Sequence, residues 1–180
     1  SVPIQGVTIQ VLRNDSFDIF REQAIRSKRM DKKDIDATNE QLLDNLNLFE
    51  NGYLKRAAIL LFHHNPEKWI PGAYIKIGYF ESDSELRYQD EIHGSLISQA
   101  DKVVDLIFTK YLKADISYQG VTRVETYPFP KEAIREAVFN AIAHKFYGAL
   151  IPIQISVYVD RIYIANDCIF PEDGYVQDLG

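Results

Sequence analysis

Residues 131–147, KEAIREAVFNAIAHKFY, restrict the possible architecture more than any other stretch of the chain. Pro128 and Pro130 stop whatever precedes them, and Pro130 suits the opening turn of a helix. At 3.6 residues per turn, Ile134, Val138, Ala141 and Ile142 fall on one side. Glu136, Asn140 and His144, spaced four apart, climb the opposite face. A helix of this kind needs an apolar layer to lie on, and its polar groups then stand at the rim of that layer. The layer follows at once: residues 151–159 and 162–165 read as two strands joined near Asp160 and Arg161.

The upstream pattern is mixed. Residues 7–12 alternate and predict an edge or hairpin strand. From Ser16 the period turns helical, with Phe17, Phe20, Ala24 and Ile25 recurring at three and four. The cations Arg26, Lys28, Arg29, Lys32 and Lys33 follow; they read first as a solvated set complementing the helix dipole and second as a phosphate-contacting patch. Thr38-Asn-Glu-Gln41 is a capping box opening a helix with Leu42, Leu43 and Leu46 inward. Asn51-Gly52 marks a turn, and residues 57–62 predict a buried helix ending near Asn65-Pro66. His63 and His64 then read as a capping or surface pair.

Residues 73–81 alternate as a strand, with a weaker one over 86–92. Residues 95–112 carry a long apolar stripe from Leu96 to Tyr111 and predict the longest helix. Residues 116–127 read as a hairpin turning at Gln119-Gly120. The resulting class is α+β: a short, mostly antiparallel mixed sheet with packed helices. Two parts are expected, 1–112 and 113–180, able to pack as one unit. Candidate boundaries at 66–72 and 113–130 lack the composition of flexible linkers. The abrupt start without an initiating segment reads as a piece of a longer protein.

Composition narrows the function classes. Tyr (11) and Phe (10) are plentiful and favour a sizeable sheet. A net charge of −6 argues against a surface basic throughout, while leaving room for a local basic patch. Cys168 is the single cysteine, so no internal disulfide forms, and a reducing cytoplasmic compartment is the expectation. No apolar run approaches the roughly 20 residues of a membrane span, so no membrane partner is expected. The four histidines are scattered without cysteines at zinc-ligand spacing. Trp69 reads as a loop anchor, Arg135 and Glu132 as a helix-surface ion pair.

Three stretches together resemble one prokaryotic family. They are residues 54–62 (LKRAAILLF) with Asn65-Pro66, residues 127–144 (YPFPKEAIREAVFNAIAH), and residues 152–166 (PIQISVYVDRIYIAN). Members are described as transcriptional regulators or as ATP-dependent DNA helicases related to RecG. They join an N-terminal Schlafen-AlbA-type nucleic-acid-binding domain to a C-terminal GHKL-like ATPase domain. The likeness covers most of residues 40–170, and 127–147 is its most specific part. No P-loop or helicase motif is present to support the helicase description.

The resemblance implies a partial GHKL-like α/β sandwich at the C-terminal end and a site for ATP and Mg²⁺. Glu136 would be the general base that takes a proton from the attacking water. Asn140 would offer its side-chain oxygen to Mg²⁺, a hard cation that takes oxygen ligands. Asn166 would meet the adenine amino group. His144 would touch phosphate or cap its helix, and Lys145 would contact phosphate or complement the helix dipole as a surface charge. The family's His-Arg-Asp-Tyr is His144-Lys-Phe-Tyr147 here, and its Asn-Pro-Gly is Asn166-Asp-Cys168. The missing glycine removes a position at which backbone approaches nucleotide closely. A glycine-rich lid would lie beyond Gly180, so this chain would hold about half of a nucleotide pocket and be inactive alone. The implied function is a regulator whose nucleotide state controls a nucleic-acid-binding domain outside this chain, with a homodimer as a possible assembly. The alternative is a non-enzymatic dimerisation or partner-binding scaffold with a degenerate nucleotide site. A third reading is direct nucleic-acid contact by residues 26–33.

Overall fold

A computed structural model describes residues 2–28 and 30–166. The expected class holds: helices and short strands build an α+β fold. In chain order, α1 (Asn14–Ser27), α2 (Lys32–Ile35) and α3 (Asn39–Asn45) precede the small hairpin of β1 (Phe49–Glu50) and β2 (Tyr53–Leu54). Next come α4 (Arg56–Phe62), β3 (Ile75–Ser82), β4 (Glu85–Ile92) and α5 (Leu96–Leu106). A further hairpin of β5 (Asp115–Gln119) and β6 (Thr122–Thr126) leads to α6 (Lys131–His144), β7 (Ile153–Val157) and β8 (Ile162–Ala165).

The main sheet has four strands in the order β4-β3-β7-β8. β3 pairs antiparallel with β4 and parallel with β7, and β8 returns antiparallel to β7. Alternation places Ile75, Ile77, Ile153, Ile155 and Val157 on one face, all buried. Val103, Val104 and Ile107 meet this face, as do Ile134, Val138, Ala141 and Ile142 of α6, the stripe expected from the sequence. The result is two layers, with helices on a single side of the sheet.

A second apolar cluster gathers Phe17, Leu42, Leu43, Leu48, Leu54, Ala58, Ile59 and Phe62. Apolar packing is continuous across residue 112. α5 and α6 share one cluster, and the division falls at α4, whose Leu60 joins the sheet cluster while Ala58, Ile59 and Phe62 join the other. Trp69 touches both clusters, as a loop anchor should.

Local chemistry accounts for the boundaries. The Thr38–Gln41 capping box is formed, with Gln41 N–H donating to Thr38 Oγ1 at 3.2 Å and Thr38 N–H to Gln41 Oε1 at 3.0 Å. Asn51 (φ 52°) and Gly52 (φ 84°) form the β1–β2 turn, a primed turn that asks for left-handed backbone at both positions. α5 stops at Leu106 and the chain continues as a π-turn over Ile107–Tyr111, so the long helix expected over 95–112 changes its winding. That change delivers the buried Tyr111 hydroxyl to within 2.6 Å of the Asp90 carboxylate on β4.

Three expectations are corrected. Residues 7–12 contain a 3-10 turn, Ile9–Val11, and no strand. Ile4 N–H donates to the Leu54 carbonyl and Leu54 N–H to that of Val7, Val7 N–H turns back onto the Ile4 carbonyl, and Val7, Ile9, Val11 and Leu12 all lie against the N-terminal cluster, which alternation on one strand would forbid. α4 ends at Phe62, as the pattern over residues 57–62 expects, but His63, expected as a capping or surface residue, turns extended and inward. His63 is buried between the rings of His64 (4.4 Å) and Trp69 (4.6 Å) and accepts the Asn65 amide at Nδ1. Burial pushes its pKa down, and the neutral ring suits that acceptor role. Ile25, finally, is exposed.

Candidate functional site

α6 stands where its sequence puts it, with the apolar stripe on the sheet and the polar face outward. Glu132, Arg135, Glu136, Phe139 and Asn140 occupy successive turns of that outer face and line an open groove of ≈ 850 Å³. The opposite wall is α1, which contributes Phe20, Gln23, Ala24, Arg26 and Ser27. Met30, Leu61 and Ile97 complete an apolar floor. The groove thus lies where the N-terminal helices meet the α/β layer.

Asp101 on α5 ties the two walls. It accepts from Arg135 Nη1 at 3.1 Å through one carboxylate oxygen and from Gln23 Nε2 through the other. Arg135 therefore pairs with Asp101 and not with Glu132, its expected partner on the same helix. The Arg135 guanidinium also stacks 4.8 Å over the Phe139 ring, so it is held from two directions. Arg26 has no ion pair among the described residues.

The other candidates separate. Glu136 and Asn140 share the groove. His144 is exposed at the end of α6 and is not part of the groove lining. Lys145 is turned inward, 6% exposed, and its ammonium donates to the Ile151 carbonyl, so it is not the surface charge expected of a lysine at a helix end. Asn166 lies on the sheet side of α6, where Nδ2 donates to the Ala141 carbonyl at 2.9 Å. The last carbonyls of a helix have no intrahelical partner, and Asn166 satisfies one while the Tyr147 hydroxyl, at 2.9 Å, satisfies that of Ile142. Cys168 and the residues after Asn166 lie outside the described residues.

The groove's donor set can be tested against Mg²⁺ and nucleotide. No cluster of three or more His, Cys, Asp or Glu side chains among the described residues could cage a metal. Mg²⁺ does not require one, because it is commonly held by one or two protein oxygens together with phosphates and water. Glu136 and Asn140 present oxygen donors of that kind on adjacent turns, and the apolar floor suits a base. Asn166 fits less well: its amide caps Ala141 and is absent from the groove lining.

Of the residues that build the groove, sequence reading located Glu136 and Asn140 and flagged Arg26 only as part of a charged run. Asp101 and Gln23 carried no local signal, since their partners are far away in sequence.

Comparison with known proteins supplies a fold and no function. No protein-family model matches the chain, and no curated protein does. Among solved structures, the DIP2311 protein of Corynebacterium diphtheriae is similar to it, with a TM-score of 0.69 at 19% sequence identity. That likeness extends over 95% of this chain and 33% of the DIP2311 chain, so this chain spans about a third of the length of the structure it resembles. At such identity the shared property is the fold.

Proposed function

We propose that the chain is the nucleotide-responsive part of a GHKL-like transcriptional regulator, and that the groove between α1, α5 and α6 receives ATP with Mg²⁺. The observation that carries this reading is the placement of Glu136 and Asn140 on one wall of an open groove, four residues apart on a helix anchored by its opposite face. Asn140 would hold the cation through its side-chain oxygen, and the cation would supply charge neutralisation for the phosphates. Glu136, exposed to solvent on the preceding turn, would orient a water and accept its proton. The contacts to nucleic acid would be made by parts of the protein outside this chain.

Calorimetry with a non-hydrolysable ATP analogue and Mg²⁺ tests the reading. Saturable binding that Asn140→Ala weakens by about tenfold or more is the expected result. No binding by the unaltered chain, or equal binding by Asn140→Ala, would remove it.

A second reading, a dimerisation or partner-binding scaffold, draws on a different feature. The β5–β6 hairpin belongs to neither cluster, and almost every residue in it faces solvent, including Ile116 (54%) and Tyr118 (69%). An isolated two-stranded hairpin is marginal in water, and a large exposed apolar residue on one is a ready contact. Sedimentation at rising concentration separates the readings: self-association abolished by Tyr118→Ser favours the scaffold, and a strict monomer at high concentration counts against it.

A further inference from the structure

The two walls of the groove differ in chemistry. α6 offers Glu132, Glu136 and Asn140, which suit a cation, while the charge of its Arg135 is answered by Asp101. α1 offers Arg26, a guanidinium without an ion pair among the described residues, while the hydroxyl of its Ser27 donates to the Ala24 carbonyl at 3.1 Å. A bare phosphate entering the groove would meet the carboxylates of Glu132 and Glu136, which repel it. A phosphate carrying a divalent cation presents both signs and can satisfy both walls at once.

We propose that Arg26 is the phosphate anchor of the groove, with the metal side of a metal–polyphosphate against α6 and its phosphate oxygens against Arg26 of α1. This rests on the nucleotide reading of the groove given above. Guanidinium matches phosphate oxygens in a planar fork, and such charge-assisted bonds are stronger than neutral ones. The inference gives the basic run of residues 26–33 a role at one position, Arg26, in place of a diffuse patch. It also gives ligand a structural effect. α1 packs in the N-terminal cluster through Phe17 and Phe20, whereas α6 packs in the sheet cluster. A ligand held by both walls would bind the two clusters together and raise the melting temperature.

The test uses the whole chain with two probes, Mg²⁺–tripolyphosphate and the Mg²⁺-bound ATP analogue, read by calorimetry and by thermal melting. Arg26 is exposed, so Arg26→Ala should fold normally, and Lys32→Ala on α2 controls for general loss of positive charge. Expected are binding of both probes, a raised melting temperature, weakening by about tenfold or more in Arg26→Ala, partial recovery in Arg26→Lys, and no change in Lys32→Ala. Tripolyphosphate should bind more weakly when Mg²⁺ is removed. Equal binding by Arg26→Ala and the unaltered chain would overturn the anchor while leaving the nucleotide site standing. Loss of affinity in Lys32→Ala equal to that in Arg26→Ala would overturn it in favour of a diffuse basic patch. Failure of the unaltered chain to bind either probe would remove the nucleotide reading and this inference together.

Discussion

A Cβ built at Gly72 would stand 2.6 Å from the carbonyl oxygen of Ala149 and 3.1 Å from that of Ile151. These are backbone atoms of the segment that the Lys145 ammonium also grips, so neither side can yield cheaply. Gly72→Ala is expected to lower stability by about 1–3 kcal/mol in urea unfolding, through overpacking. His93 offers a second test. Its Nδ1 lies 2.6 Å from Glu67 and its Nε2 3.1 Å from Glu91, so both nitrogens face carboxylates and the ring is best served as a cation. The Glu67 hydrogen bond is the main cause that raises its pKa above the usual histidine value. A raised folded pKa means that the pair stabilises fully below the unfolded value near 6.5 and loses that contribution as pH rises through the folded value. An NMR titration should place the His93 midpoint above 6.5, and Glu67→Gln should bring it down; an unchanged midpoint in that variant would contradict the assignment. Neither residue announced itself in the sequence, because Gly72 is defined by a backbone more than 70 positions away and His93 by a partner on another loop. Lys145 turns inward for the same reason: its acceptor is a carbonyl that only the tertiary fold supplies.

At the scale of elements, legibility followed the range of the determining interactions. The Thr38–Gln41 box, the Asn51-Gly52 turn and the two faces of α6 are set within a few residues, and each is where the sequence places it. Thr38→Ala removes the hydroxyl that takes the Gln41 amide and should cost about 1 kcal/mol of stability, measured by denaturant unfolding. Residues 7–12 carry an alternating pattern, yet nothing offers them a full partner strand, and burial against the N-terminal cluster winds them into a 3-10 turn. The β5–β6 hairpin was legible as a hairpin but not as an arm standing clear of the core. Because it shares no apolar cluster, replacing residues 115–126 by a short turn should leave the unfolding midpoint nearly unchanged. A large fall in the midpoint would show that the arm supports the fold.

At the scale of the molecule, the described residues form two apolar clusters joined along α4 and Trp69, with a groove opening where α1 of one faces α6 of the other. Sequence periodicity places the apolar stripes of α5 and α6 but does not show that Arg26 and Asn140 line one groove, since that depends on how α1 sits against α5 and α6. The similarity to DIP2311 over 95% of the chain is a likeness of this same fold and leaves the groove's occupant to experiment. Hydrogen exchange read peptide by peptide, with and without the Mg²⁺-bound ATP analogue, locates that occupant most directly. Slower exchange confined to residues 20–27 of α1 and 132–140 of α6, and lost in Asn140→Ala, is the expected result. Unchanged exchange throughout, or protection at residues 115–126 with none on α1 and α6, would contradict the nucleotide reading of the groove.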